Sequence, residues 1–415
     1  MTTRPRFASH PLPAFALAML GMLIMLAPAP GLAQTFTVLY EFNRGAGGGQ
    51  PYAGLTMNAA GDFYGTTEYG GSGADGGYGV VFRLSRAGSG WVETPLYAFQ
   101  GGSDGEYPLG GVVIGSDGAL YGTTSGDNVY GEYGTVYRLT PPPSACASFL
   151  CPWRETVLYR FSGGLDGANP GYGNLVFDQA GNIYGTTLYG GGAGDCGYGP
   201  GCGVVYKLTP SGSGWTETAI WDFGVGGGNF PASGVTFDGA GNLYGTTTGG
   251  SVYELSPSGS GWTETTLTDA LDYAYGGLVF DPHGNLFGTT GGFQGAGNVY
   301  ELSPSNGGWT LSTLYNFSGY EGPLDTPTLD ASGNVYGTSY ASGAYEEGQV
   351  FELTPSNGSW IFTDIHDFNG SQGSEPVGGV VFDARGNMYG TTSAGGTGGS
   401  QCNGGCGTVW EITPQ

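Results

Sequence analysis

An all-β fold is what this sequence predicts: a seven-bladed β-propeller of four-stranded antiparallel blades, its last blade completed by the N-terminal strand. Three observations carry that expectation. A Gly-Asn-Leu-Tyr-Gly-Thr-Thr motif occurs in seven versions, beginning at Gly61, Gly118, Gly181, Gly241, Gly284, Gly333 and Gly386. The copies stand 43 to 63 residues apart, the period of one repeated supersecondary unit. Each unit holds segments rich in β-branched and aromatic residues, bounded by turn residues, and these recur in fours.

Residues 1–33 read as a signal peptide, with Arg4, Arg6 and His10 ahead of an apolar run over 14–28 and small residues at Gly31 and Ala33. A retained anchor is the rival, but the run is shorter than the roughly 20 residues of a spanning helix. No other stretch is apolar enough to span. Residues 34–415 are therefore expected to form one exported domain, extracellular, on the cell surface or periplasmic.

The third unit shows the four strands in order: 173–177, 182–187, 204–208 and 215–223. An Asp-x-x-Gly turn, recognisable in six of the seven units, joins the first two. Asp bonds backbone amides within such a turn, and Gly accepts the left-handed conformation that ends it. A calcium loop is the alternative, but one Asp per turn supplies too few oxygens. The first three strands occur seven times, the last third strand at 408–412, whereas the fourth follows only six of them. The missing copy is at the other end, where 35–42 resembles 156–161 and 311–317, so the N-terminal strand should close the ring. A parallel β-helix has far shorter coils, and separate domains of this size could not bury enough surface.

The formal net charge is −24, which excludes a phosphate-binding surface and an anionic membrane as partners. Acidity of this size also accompanies disorder, but 39% hydrophobic and 14% aromatic residues suffice for packed cores. Six cysteines form three close pairs, Cys146 with Cys151, Cys196 with Cys202, and Cys402 with Cys406. Local disulfides are the simplest pairing in an exported chain. A zinc site is the rival, opposed by the spacing and the near absence of His.

Leu158 to Phe161, Gly163 to Pro170, Gly181 to Thr187 and Gly203 to Pro210 together resemble the Gloeo-Verruco (GloVer) tandem repeat of exported bacterial proteins. The similarity runs over essentially the whole chain after residue 33. It implies a secreted or surface location and no established activity. Many relatives end in an anchoring tail, a feature not matched after the last third strand. The Asp-x-x-Gly-Asn-Leu-Tyr portion also looks like lactone-hydrolase and lyase propellers.

Long loops on a rigid scaffold are where binding concentrates. If the first strand is innermost, the loops after Gly-Thr-Thr and the linkers into each next blade share one face. Units three and seven have the longest loops and carry cysteine pairs; unit four has only a stub, so a gap is expected near blades four and five. Candidate binding residues on these loops are Tyr69, Tyr78, Tyr130, Tyr133, Tyr189, Tyr198, Tyr340 and Tyr345, with the linker acids Asp104 and Asp166. Tyrosines among small polar neighbours suit stacking on sugars or gripping a peptide, and loop packing is the plainer alternative. Glu321, Asp325 and Glu375 are further linker acids, able to contact metal or sugar or simply to cap turns. The motif tyrosines and the six fourth-strand tryptophans read as packing, the motif Gly as permitting close approach of neighbouring sheets, and the paired threonines as bonding locally.

His283 and His366, the only histidines after residue 33, have no partner by pattern, so a histidine triad is not expected. No cofactor is expected, with Ca²⁺ the one metal kept open. The leading expectation is a monomeric binding or scaffold propeller for a polysaccharide or surface protein. The alternatives are a polysaccharide hydrolase or lyase with paired carboxylates, or a purely structural surface protein.

Overall fold

The computed structural model describes Met1 and residues 34–414, apart from 72–75, 128–130, 144–151, 193, 195, 197–200, 225–227, 293–294, 319–321, 399–400 and 403. The unit spanning Gln34–Pro414 holds 28 strands among the described residues, in seven four-stranded antiparallel sheets. Blade 1 runs Thr56–Met57, Phe63–Thr67, Val80–Ala87, Gly90–Ala98, and five more follow in chain order. In blade 7, strands Val381–Phe382, Met388–Thr392 and Thr408–Thr413 are completed by Thr35–Glu41, which pairs Thr35 with Thr413 and Val38 with Trp410. The chain thus closes its own ring, and no sheet is left one strand short.

In six blades the second strand is buried along its length, because it lies between its own neighbours and the adjacent blades. The fourth strands alternate exposed and half-buried positions, the pattern of a sheet edge with one wet face. A bulge recurs in every third-to-fourth strand pairing, for example between Val81 and Phe82 and between Val205 and Tyr206. It sharpens twist at the rim of each blade.

The motif reads as a set of joints. In blade 3, Asp178 Oδ1 accepts from the amides of Ala180 and Asn182, while Oδ2 accepts from the Asn182 amide group and the Tyr184 hydroxyl. Asp238, Asp330 and Asp383 repeat this with Tyr244, Tyr336 and Tyr389. Asn58 substitutes in blade 1, its amide donating to the Tyr64 hydroxyl. The hairpin uses both oxygens of these carboxylates.

The motif Gly has a different reason from close sheet approach. It pairs across its own blade with a large third-strand ring: Gly65 with Phe82, Gly122 with Tyr137, Gly185 with Tyr206, Gly245 with Tyr253, Gly288 with Tyr300, Gly337 with Phe351, Gly390 with Trp410. A Cβ at any of these glycines would collide with that ring. The first threonine also departs from expectation, since it bonds out of its blade rather than locally. Thr66, Thr186, Thr246, Thr289, Thr338 and Thr391 donate to the carbonyls of Gly110, Ser233, Gly276, Asp325, Gly378 and Ala53 on the linker of the next blade. The second threonine stays local: Thr187 donates to the Tyr189 carbonyl and accepts from the Val204 amide.

Between blades, the outer-strand tryptophans lie on the preceding blade's motif ring. Trp91 meets Tyr389, Trp153 meets Tyr64, Trp262 meets Tyr184, Trp309 meets Tyr244 and Trp360 meets Phe287, at ring separations of 6.0 to 6.4 Å. Repetition of these residues is thus explained by packing. Disulfides join Cys196 to Cys202 and Cys402 to Cys406. Cys146 and Cys151 lie outside the described residues. No helix among the described residues is long and apolar enough to cross a membrane.

Candidate functional site

Seven linkers converge where the innermost strands begin, and small residues permit it. The position two residues before each innermost strand is Gly54, Gly111, Asn174, Gly234, Gly277, Thr326 and Gly379. A Cβ on Gly54 would sit 3.2 Å from the Gly379 amide nitrogen, and one on Gly111 would sit 2.7 Å from the Asn174 side-chain oxygen. These contacts narrow the axial channel.

On the loop side lies a cavity of about 750 Å³ to which all seven blades contribute. That is ample for a small ligand, since such sites span roughly 300–1,000 Å³. Its walls carry Tyr52, Tyr172, Tyr189, Phe230, Tyr273, Tyr275 and Tyr340. Linker geometry aims several of them. The residue before the linker proline takes a left-handed backbone at Gln50, Asn169, Phe230 and Glu375, with φ from 54° to 59°. Its amide bonds the preceding blade's loop and its carbonyl bonds its own. Phe230 N donates to Cys202 O at 2.7 Å, and Thr248 N donates to Phe230 O. Likewise Gln50 N donates to Cys406 O and accepts, through its carbonyl, from Glu68 N. Both disulfides therefore brace a linker turn at the cavity wall, next to Phe230 and to Tyr52. Blade 3 carries one extra residue between Pro170 and the innermost strand, and Tyr172 stands there, 51% exposed.

Two carboxylates line the same space, Glu68 and Asp325. Asp325 Oδ1 accepts from its neighbour's amide, Thr326 N, at 2.6 Å, and Oδ2 accepts from Gly379 N across the throat. Part of its surface is open to the cavity, yet protein surrounds it. That burial pushes its carboxyl up to about 6, against the pull of the two amides. Burial likewise raises Glu68 above the usual carboxylate range, opposed by its bond from the Tyr69 hydroxyl and by the charge of Arg44. Tyr52 is pushed up to about 12, first by burial and then by the charge of Glu68. The cavity thus offers aromatic faces, phenolic hydroxyls that stay protonated, and two acceptor carboxylates.

Of the tyrosines singled out from the sequence, Tyr189 and Tyr340 line this cavity. Tyr69 lies behind it, with Arg44 4.2 Å over its ring and Tyr107 edge-on at 5.6 Å. Tyr78 packs on Tyr107, and Tyr133 packs beside the core that contains Phe161. Tyr345 is 61% exposed and does not line the cavity. Tyr130, Tyr198 and the linker acid Glu321 lie outside the described residues. Asp104 accepts from the Gln100 amide and the Tyr97 hydroxyl, and Asp166 from Ser162 and the Tyr159 hydroxyl, so each closes its own linker turn. The stub of blade 4 puts Thr248 and Gly249 on the cavity wall beside Tyr273 and Tyr275 of blade 5. Glu68, Tyr52, Tyr172, Tyr273 and Tyr275 were not singled out by the motifs. Glu68 had a signal: at the position after the motif it is the one charged residue among Ser125, Leu188, Thr248, Gly291, Tyr340 and Ser393. Among the described residues no three metal-ligating side chains gather closely enough to hold an ion.

Comparison with known proteins agrees with the fold. A chain of a mitotic checkpoint complex crystal structure superposes with a TM-score of 0.54 at 10% identity, covering 99% of each chain. A glucose dehydrogenase-like oxidoreductase of Thermus thermophilus gives 0.45 at 16% identity, over 92% of this chain and all of that one. A 6-phosphogluconolactonase-like protein of Bacteroides uniformis gives 0.45 at 14%, over 75% and 84%. At 10% identity the first likeness concerns the fold alone, and nothing is drawn from the two at 0.45. No curated protein sequence matches the chain. The Gloeobacter/Verrucomicrobia repeat, by contrast, matches residues 19–198, 150–328 and 249–415 in overlapping succession, and the chain belongs to that repeat family.

Proposed function

We propose that the protein is an exported carbohydrate-binding propeller, taking a polysaccharide segment into the aromatic cavity at the loop-side end of its channel. The observation that carries this reading is the ring of tyrosines around one cavity of about 750 Å³. Sugar rings present apolar faces and hydroxyl edges, and tyrosine answers both with its ring and its phenol. Export is supported by the basic-then-apolar start of the chain and by two disulfides, which persist in oxidising compartments. We weight binding above cleavage because aromatic surface, rather than a proton-transfer pair, dominates the walls.

The test is a glycan array on the protein from residue 34 onward, followed by calorimetry on wild type and on Tyr172→Ala and Tyr275→Ala. Binding that falls in both variants, with unchanged thermal stability, supports the reading. No binding to any glycan would remove it in favour of a structural role, and release of new reducing ends from a bound glycan would redirect it to hydrolysis.

A further inference from the structure

The described cavity lining contains no Lys, Arg or His, while Glu68 and Asp325 both face the space. Asp325 takes one backbone amide on each oxygen, from Thr326 and Gly379. A carboxylate oxygen accepts about two bonds, so each keeps accepting capacity toward the cavity. Its anchoring is built into the throat, because Gly379 leaves room for the carboxyl: a Cβ there would sit 3.0 Å from Oδ2. Glu68 is answered on its far side by the Tyr69 hydroxyl and Arg44, outside the cavity. Around these two acids stand tyrosine faces, whose negative quadrupoles attract cations. Negative charge and aromatic faces in one enclosure suit an ammonium group and oppose a uronate or sulfate.

From this we infer that the ligand's recognised unit is an amino sugar bearing a free ammonium, seated between the tyrosines, with Asp325 and Glu68 as the counter-charges for its ammonium groups. The inference rests on the carbohydrate-binding reading and narrows it. An ammonium-to-carboxylate hydrogen bond is about twice as strong as a neutral one. A single such contact is worth on the order of tenfold in affinity.

The test is calorimetry at neutral pH on the intact chain from residue 34, with four probes: a glucosamine tetramer, an N-acetylglucosamine tetramer, cellotetraose and choline. The expected result is the glucosamine tetramer binding at least about tenfold more tightly than the acetylated and neutral tetramers, with Asp325→Asn and Glu68→Gln each cutting that preference by about tenfold. Equal or tighter binding of an uncharged tetramer would overturn the inference and leave the carbohydrate reading standing. Choline binding without any tetramer binding, or no binding at all, would overturn both. If Asp325→Asn fails to fold, Glu68→Gln alone decides: an undiminished preference in that variant overturns the assignment.

Discussion

Four buried hydroxyls give the packing account a sharp test. Tyr137, Tyr206, Tyr253 and Tyr300 occupy one third-strand position in blades 2 to 5, are essentially inaccessible, and have no hydrogen-bond partner for their oxygens. Blades 1 and 6 carry Phe82 and Phe351 there, equally buried. The motif glycine leaves room for the ring and, in these four blades, for its hydroxyl oxygen, which gains no bond there. An unsatisfied buried polar group costs about 1–3 kcal/mol, so each Tyr→Phe change should stabilise by about 1 kcal/mol. The sites lie in different blades and share no partners, so the quadruple variant should gain about 4 kcal/mol. Unfolding entropy of about 2.1 cal/mol/K per residue gives roughly 0.8 kcal/mol/K for a chain of this length, so Tm should rise by about 5 °C. Calorimetry reads this directly. Loss of stability at each site would show that the hydroxyls are bonded, for instance through buried water, and would refute the packing argument.

Ring closure predicts a contrast between two threonines. Thr391→Val strands the Ala53 carbonyl and should cost about 1–3 kcal/mol, whereas Thr123→Val, at a hydroxyl with no partner, should be neutral or better by urea melts. Stability should also favour mild acid. Burial raises Asp325 to about 6, and raises Glu93, Glu155 and Glu217 to about 7. Their folded forms hold protons that the unfolded chain releases, so stability should fall as pH climbs from about 4 through 7. For Asp325 the loss is about 3 kcal/mol, and Asp325→Asn should flatten its share of the slope in Tm against pH. Below about pH 4 the sign reverses, because Asp178, Asp238 and Asp383 are held below the usual carboxylate range: burial raises them, but their turn hydrogen bonds outweigh it. Reducing the two observed disulfides should cost about 2 kcal/mol each from loop closure. It should also weaken glycan binding, since Cys202 and Cys406 hold the turns at Phe230 and Gln50.

Blade number, strand order and the closing N-terminal strand were legible because repetition and strand counting constrain each other. One missing fourth strand at 415 and one spare at 35–42 leave a single closure. The local duty of the turn aspartate was legible, since Asp178 bonds the amides of Ala180 and Asn182, two and four residues on. The added bond from the Tyr184 hydroxyl was not, because that ring reads only as packing. Nor was the bond of Thr391, whose partner Ala53 is 338 residues away, a distance that only the closed ring abolishes. Looking in the loops and linkers led to Tyr189, Tyr340 and Asp325, which line the cavity. Tyr172 and Tyr275 escaped because their aim depends on linker backbone geometry and on a one-residue insertion, neither of which composition reveals.

Hydroxyl-radical footprinting with and without the bound glycan reads which face of the propeller the ligand covers. Tyr172 and Tyr273, 51% and 41% exposed at the cavity, report occupancy, and Tyr345, 61% exposed outside it, serves as the internal control. The account predicts protection of Tyr172 and Tyr273 on ligand addition with Tyr345 unchanged. Protection of Tyr345, or of outer-strand residues, with the cavity tyrosines still reactive would contradict it.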